Sequence, residues 1–220
     1  MARGSPTSST ARVVALLCAG LAILPATAPA ADWRWPTDAA GRLIPADRFP
    51  CHEPRIEGRL LEPIGKPPTA CGIALPVRVE ALAGVRLSQP TTLSCPAARR
   101  MAQWVERIVQ PTAKRVLRAR VTSLDVSGGY VCRRRNFAAD GPLSQHAFGR
   151  ALDVAGFRLS RGRTARIARD WGKGDAGLFL QLVHREACGL FTTVLGPEAD
   201  AQHRDHFHLD ISPRRRPYCR

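Results

Sequence analysis

No two cysteines in this chain are spaced C-x-x-C, so it lacks the signature of a thiolate zinc site or a dithiol redox centre. No serine stands in a G-x-S-x-G elbow, and Ser144 is therefore not read as a nucleophile. Helix-turn-helix signals, zinc-finger spacing and aromatic stacking motifs are missing as well, which argues against nucleic acid as a partner. Internal repeats and low-complexity arrays are absent, leaving one domain, or one domain with an extension, in 220 residues. The longest apolar run, Val13 to Leu24, is too short to cross a bilayer as an ordinary transmembrane helix. Carboxylates are scarce: 18 Asp and Glu face 33 Lys and Arg, a formal charge of +15.

What is present begins with a leader. Arg3 and Arg12 precede the apolar run, and Ala28-Pro29-Ala30 offers a small-residue cleavage site before Ala31. Residues 1–30 are thus expected to be a signal peptide cleaved near Ala30, with a signal anchor as the alternative. The mature chain would be periplasmic or secreted, carry no transmembrane segment, and hold a charge of +13 once Arg3 and Arg12 are removed. Cys18 leaves with the leader, and the remaining Cys51, Cys71, Cys95, Cys132, Cys188 and Cys219 are an even six for an oxidising compartment. Disulfides are expected, in any of 15 pairings. The high charge suits a polyanionic partner, with an anionic cell wall or outer membrane surface fitting export better than nucleic acid. The clusters Arg133-Arg134-Arg135 and Arg214-Arg215-Arg216 serve that attraction or are simply solvated faces.

Residues 31–70 are rich in proline and weakly periodic, and read as an extended arm; residues 71–220 read as the domain. Short apolar runs between Ile73 and Leu87 suggest one or two strands. Met101, Trp104, Val105, Ile108 and Val109 lay one stripe along a helix predicted over 95–118, which Pro111 should kink or divide. Trp104 belongs in the core. Val121 to Arg133 reads as a strand running through Gly128-Gly129, and Ala151 to Leu159 as another. A helix over 175–188 places Leu178, Phe179, Leu182 and Val183 on one side, capped by Asp175 or Gly174. A last strand spans about 206–211. Helices and strands without βαβ alternation predict an α+β domain: a small, mostly antiparallel sheet flanked by helices and stapled by disulfides.

Two segments carry chemistry, S-Q-H-A-F-G-R-A-L-D (144–153) and H-R-D-H-F-H-L-D (203–210). In a strand His206, His208 and Asp210 share one face while Phe207, Leu209 and Ile211 share the other, which packs on the core. His146 sits in a turn-like stretch, Gly149 admits close backbone approach, and Asp153 enters an apolar strand where its charge requires a partner. His146, Asp153 and His208 together offer one zinc site with a fourth position left for water. Imidazole and carboxylate ligands without thiolate also admit manganese or nickel. His52, His184, His203 and Glu186 read as incidental.

Through A-C-G-I-A-L-P-V, C-R-R-R-N, the two segments above, V-L-G-P and the closing C-R, the chain resembles the bacterial extensin-like protein C-terminal domain family from about Cys71 to Cys219. It also shares the more general motif of the D-Ala-D-Ala metallopeptidase, lysostaphin and hedgehog superfamily. Gln145 departs from the acidic residue expected between Ser144 and His146, at a position that is not a ligand.

The resemblance implies a hedgehog- or peptidase-like fold in which His146, Asp153 and His208 bind a single Zn2+. Asp205 matches the acidic base of some relatives, and His206 the first histidine of H-x-H in others; both remain candidates for the general base. Arg133 resembles an arginine that holds substrate or an oxyanion, a role suited to its forked donors. Ser144 resembles the serine that orients the metal loop. The implied function is an exported zinc metallopeptidase acting on amide bonds of peptidoglycan or related wall peptides. The alternative is an inactive zinc-containing module that binds or builds the wall, since fold analogy alone does not establish chemistry.

Overall fold

Within the proline-rich stretch the chain extends after Pro54 as β1 (Ile56–Leu60), with Ile56 buried, in a computed structural model that describes Met1 and residues 37–65 and 70–220. The last part of the expected arm is therefore the edge strand of the sheet rather than a layer of loop. The expected leader lies outside the described residues apart from Met1, as do Pro36, Pro67 and Pro68. Strands β2 (Pro76–Leu82) and β3 (Val85–Ser94) form a hairpin. Ala83 and Gly84 both take positive φ at its turn, 48° and 73°, matching the right-handed twist of the strands.

β4 (Val121–Gly128), β5 (Ala151–Leu159), β6 (Thr164–Arg166), β7 (Thr193–Leu195), β8 (Phe207–Asp210) and β9 (Tyr218–Cys219) complete one sheet. Its order is β1-β2-β3-β4-β5-β8-β7-β9, with β6 beside β5. Pairing is antiparallel except at β3–β4 and β7–β9. Nine strands make the sheet larger than expected, because β6, β7 and β9 are too short to show a period in sequence.

The predicted helix over 95–118 forms as α1 (Cys95–Trp104) and continues through Val105–Val109, Gln110–Thr112 and Ala113–Leu117. Ser94 caps it by accepting from the Ala97 N–H, and Pro96 fills its first turn. Pro111 does divide it: wide π turns lie on both sides, accommodating the missing N–H without ending the helix. The later helix, α2 (Gly174–Ala187), has no side-chain cap and buries Phe179, Leu180, Val183 and Ala187. Leu178 is exposed instead, since several apolar stripes compete on this helix and the aromatic core selects the one through Phe179.

That core lies on one side of the sheet. Trp104 is fully buried with Phe157 at 6.0 Å and Phe191 at 6.3 Å, and its indole N–H donates to the Val183 carbonyl. Phe157 also meets Phe179 and Phe207, so both helices press on the face to which β8 directs Phe207 and Leu209. Each such ring contributes about 1.5–3 kcal/mol through burial. Three disulfides, Cys51–Cys95, Cys71–Cys132 and Cys188–Cys219, tie the loops to this frame.

Candidate metal centre

Sheet register brings the two motif segments together. β5 and β8 pair antiparallel with Asp153 directly opposite His208, and β4 places Gly128 opposite Asp153 on the other side. Phe207 and Leu209 point to the core with no exposed surface, so strand alternation turns His208 and Asp210 to the opposite face. Gly128 leaves room for the carboxylate: a Cβ there would lie 2.4 Å from Asp153 Oδ2.

His146 arrives from a short helical turn, Gln145–Phe148. Ser144 caps the turn, its hydroxyl accepting from the His146 N–H at 3.3 Å. Gly149 closes it at φ 59°, where a Cβ would meet Ile73 Cδ1 at 2.3 Å and the Ser94 nitrogen at 2.8 Å. The ring is 1% exposed and donates from Nδ1 to the Gly129 carbonyl at 2.7 Å. Nε2 faces Asp153 Oδ2 at 3.1 Å.

His208 turns Nε2 to Asp210 Oδ2 at 3.2 Å and Nδ1 to Asp153 Oδ1 at 2.9 Å. The two imidazoles approach through His146 Nε2 and His208 Nδ1 at 3.3 Å. Two ring nitrogens and a carboxylate therefore converge, an arrangement that needs a cation or shared protons at its centre. Burial pushes the Asp153 pKa up, but hydrogen bonds from His146 and His208 and their charge outweigh it, holding the carboxyl well below its usual range. Burial lowers that of His208, yet its bonds to Asp153 and Asp210 prevail and push it up to about 9.

The spacing fits a metal. Bonds of 2.0–2.1 Å in tetrahedral array set ligand atoms about 3.3 Å apart. The two imidazole nitrogens stand 3.3 Å apart, and one ligand atom from each of the three residues lies within 4.8 Å of the others. Among the described residues His146, Asp153 and His208 form the one cluster able to hold such an ion.

The candidate bases occupy different positions. His206 precedes β8 but reaches the site, its Nε2 3.9 Å from Asp153 Oδ1. Asp205 has a side chain 72% exposed and bonds to His206 Nδ1 at 2.8 Å, so it orients the histidine. Arg133 is not at the end of a strand as expected: β4 stops at Gly128, the first of two glycines whose missing side chains leave room for Asp153 and Thr91. Arg133 lies in the following loop and its guanidinium covers the Phe137 ring at 4.3 Å.

All these groups line one cleft of about 790 Å³. Two further members, His203 and Tyr218, escaped the sequence reading, and a third, Arg214, was read only as part of a basic cluster. His203, taken as incidental, lies 5.2 Å from the His206 ring and is held by Asp200 at 2.7 Å. Arg214 and Tyr218 form another part of the wall. A histidine five residues before His208 was the available signal for His203 and the basic run that for Arg214; Tyr218 shows none short of the fold. Arg135 lines the cleft, while Arg134 bonds to the Gly141 carbonyl at the surface. His184 is packed against Phe207 on the core side, and Glu186 pairs with Arg115. His52 is not among the lining residues.

Comparison with known families matches residues 55–220 to the family described as extensin-like protein C-terminus. Curated proteins and solved structures give no significant match.

Proposed function

The chain belongs to the extensin-like protein C-terminus family, and from the converging acceptors of His146, Asp153 and His208 at the floor of an open cleft we propose that it is an exported zinc metallohydrolase of wall peptides. The same reading relates it to the D-Ala-D-Ala peptidase and hedgehog superfamily and sets its site of action in the periplasm or outside the cell. Peptidoglycan, or another anionic envelope polymer, is the partner its charge favours.

His146, Asp153 and His208 would hold the ion. When bound, zinc supplies a Lewis acid and makes water acidic enough to attack near neutral pH. His206 is the group placed to take the proton of that water: Asp205 holds its Nδ1–H and leaves Nε2 facing the cluster. The protonated imidazole then returns the proton to the leaving amine. Arg133, on the cleft wall, presents a planar fork to hold the substrate. Ser144 touches no reacting atom in this scheme; it fixes the turn that carries His146.

The observation that carries the reading is the second acceptor pair, His206 with Asp205, beside the three-ligand cluster, since metal retention alone does not require it. Release of new amines from purified peptidoglycan by the zinc-loaded protein tests it. We expect turnover in the wild type and none in His206→Ala or His208→Ala variants that keep their fold. Wall binding without turnover would instead identify a zinc-bearing, non-catalytic wall module.

A further inference from the structure

The cleft carries two clamps of the same construction. Arg133 lies over Phe137 at 4.3 Å, and Arg214 lies over Tyr218 at 5.4 Å, a ring that Arg220 approaches at 5.7 Å without lining the cleft. All four residues line the cleft, and one member of each pair adjoins a disulfide, Arg133 after Cys132 and Tyr218 before Cys219. An arginine stacked on a ring keeps its plane defined while its N–H edges remain available to a planar acceptor.

Those edges are uncommitted to acid. The lining carboxylates are engaged by histidines: Asp153 by His146 and His208, Asp210 by His208, Asp200 by His203 and Asp205 by His206. Among the described residues neither Arg133 nor Arg214 forms an ion pair, and the Arg133 Nε is buried without a partner. Sheet order separates the clamps. β4 leads into the Arg133 loop, β9 carries Tyr218, and Asp153 on β5 and His208 on β8 lie between them.

We propose that the cleft recognises a peptide bearing carboxylates on both sides of the bond presented to the cluster, one gripped by Arg133 on Phe137 and the other by Arg214 on Tyr218. This rests on the hydrolase reading for the bond, but the binding is measurable without turnover. The paired clamps select acidic peptide over neutral peptide, because a bidentate guanidinium–carboxylate contact is both charged and planar.

Calorimetric binding of soluble peptidoglycan fragments released by a muramidase, used native and with their carboxylates amidated, tests the proposal. Arg214→Gln should weaken binding of native fragments about tenfold and leave amidated fragments unaffected. Lys114→Gln removes the same charge from an exposed position outside the cleft and should change binding less than about twofold. Equal affinity of wild type and Arg214→Gln for native fragments, equal loss in Lys114→Gln, or tight binding of amidated fragments would each overturn it. Amine release measured in parallel separates the two readings. Clamp-dependent binding without release defeats the hydrolase and keeps the clamps; release unchanged in Arg214→Gln does the reverse.

Discussion

Gly128 does as much for the metal centre as the ligands do, by having no side chain. Asp153 occupies the volume a Cβ would take, and the next carbonyl, Gly129, fixes the His146 ring. Gly128→Ala should push the carboxylate out of line and weaken zinc binding at least about tenfold, in competition with a chromophoric chelator, with little loss of melting temperature. Gly189→Ala, whose new methyl would meet its nearest neighbour at 3.6 Å, should bind as wild type. Equal affinity in both variants would show that Asp153 has freedom the packing denies it. The three residues of the cluster were legible in sequence because a buried carboxylate and alternate-residue histidines are chemically conspicuous. The glycine pair was not: in sequence it read as the middle of a strand. Asp200 with His203 was hidden for another reason, because nothing local says that a turn will fold that histidine over His206.

At the level of elements, one ion network joins the sheet edge to the long helix. Arg55, just before β1, bonds to Glu53 at 2.6 Å and to Glu106 at 2.5 Å within the first wide turn after α1. Burial pushes the Glu53 pKa up, but the hydrogen bonds and charge of Arg55 more than reverse this, so it lies below the ordinary value. A depressed carboxylate stabilises the fold above its unfolded pKa of about 4.3 and loses that contribution as pH falls through its folded value. Denaturant midpoints should therefore fall from about pH 5 downward in the wild type, and the slope should be shallower in Glu53→Gln. Parallel curves would remove Glu53 from acid denaturation. Elements with a strong period, such as α1 and β5, were readable from sequence almost to their ends. β1 was not, because the proline-spaced stretch before it gave no period, and Leu178 was misplaced because α2 offers more than one apolar stripe.

Across the whole molecule, the fold depends on covalent closure as well as on its core. The three disulfides span 44, 61 and 31 residues, and together they pin the β1 side, the loop before Arg133 and the β9 edge. In the chain-entropy account each closure of that size stabilises by about 4 kcal/mol. The first two loops overlap, so the sum is smaller than three separate closures, yet it remains comparable with the roughly 5–15 kcal/mol by which folded domains exceed their unfolded chains. Six thiols left reduced should thus give a chain that is largely unfolded at 37 °C, whereas the oxidised protein melts cooperatively. Circular dichroism with and without a reductant that leaves zinc in place measures this. An unchanged transition would mean that the aromatic core around Trp104 and Phe157 suffices, and that the cysteines serve the cleft walls alone. Loss of the transition would make oxidation of the cysteines a condition of folding, because the core alone would then fall short of the entropy that the three closures remove.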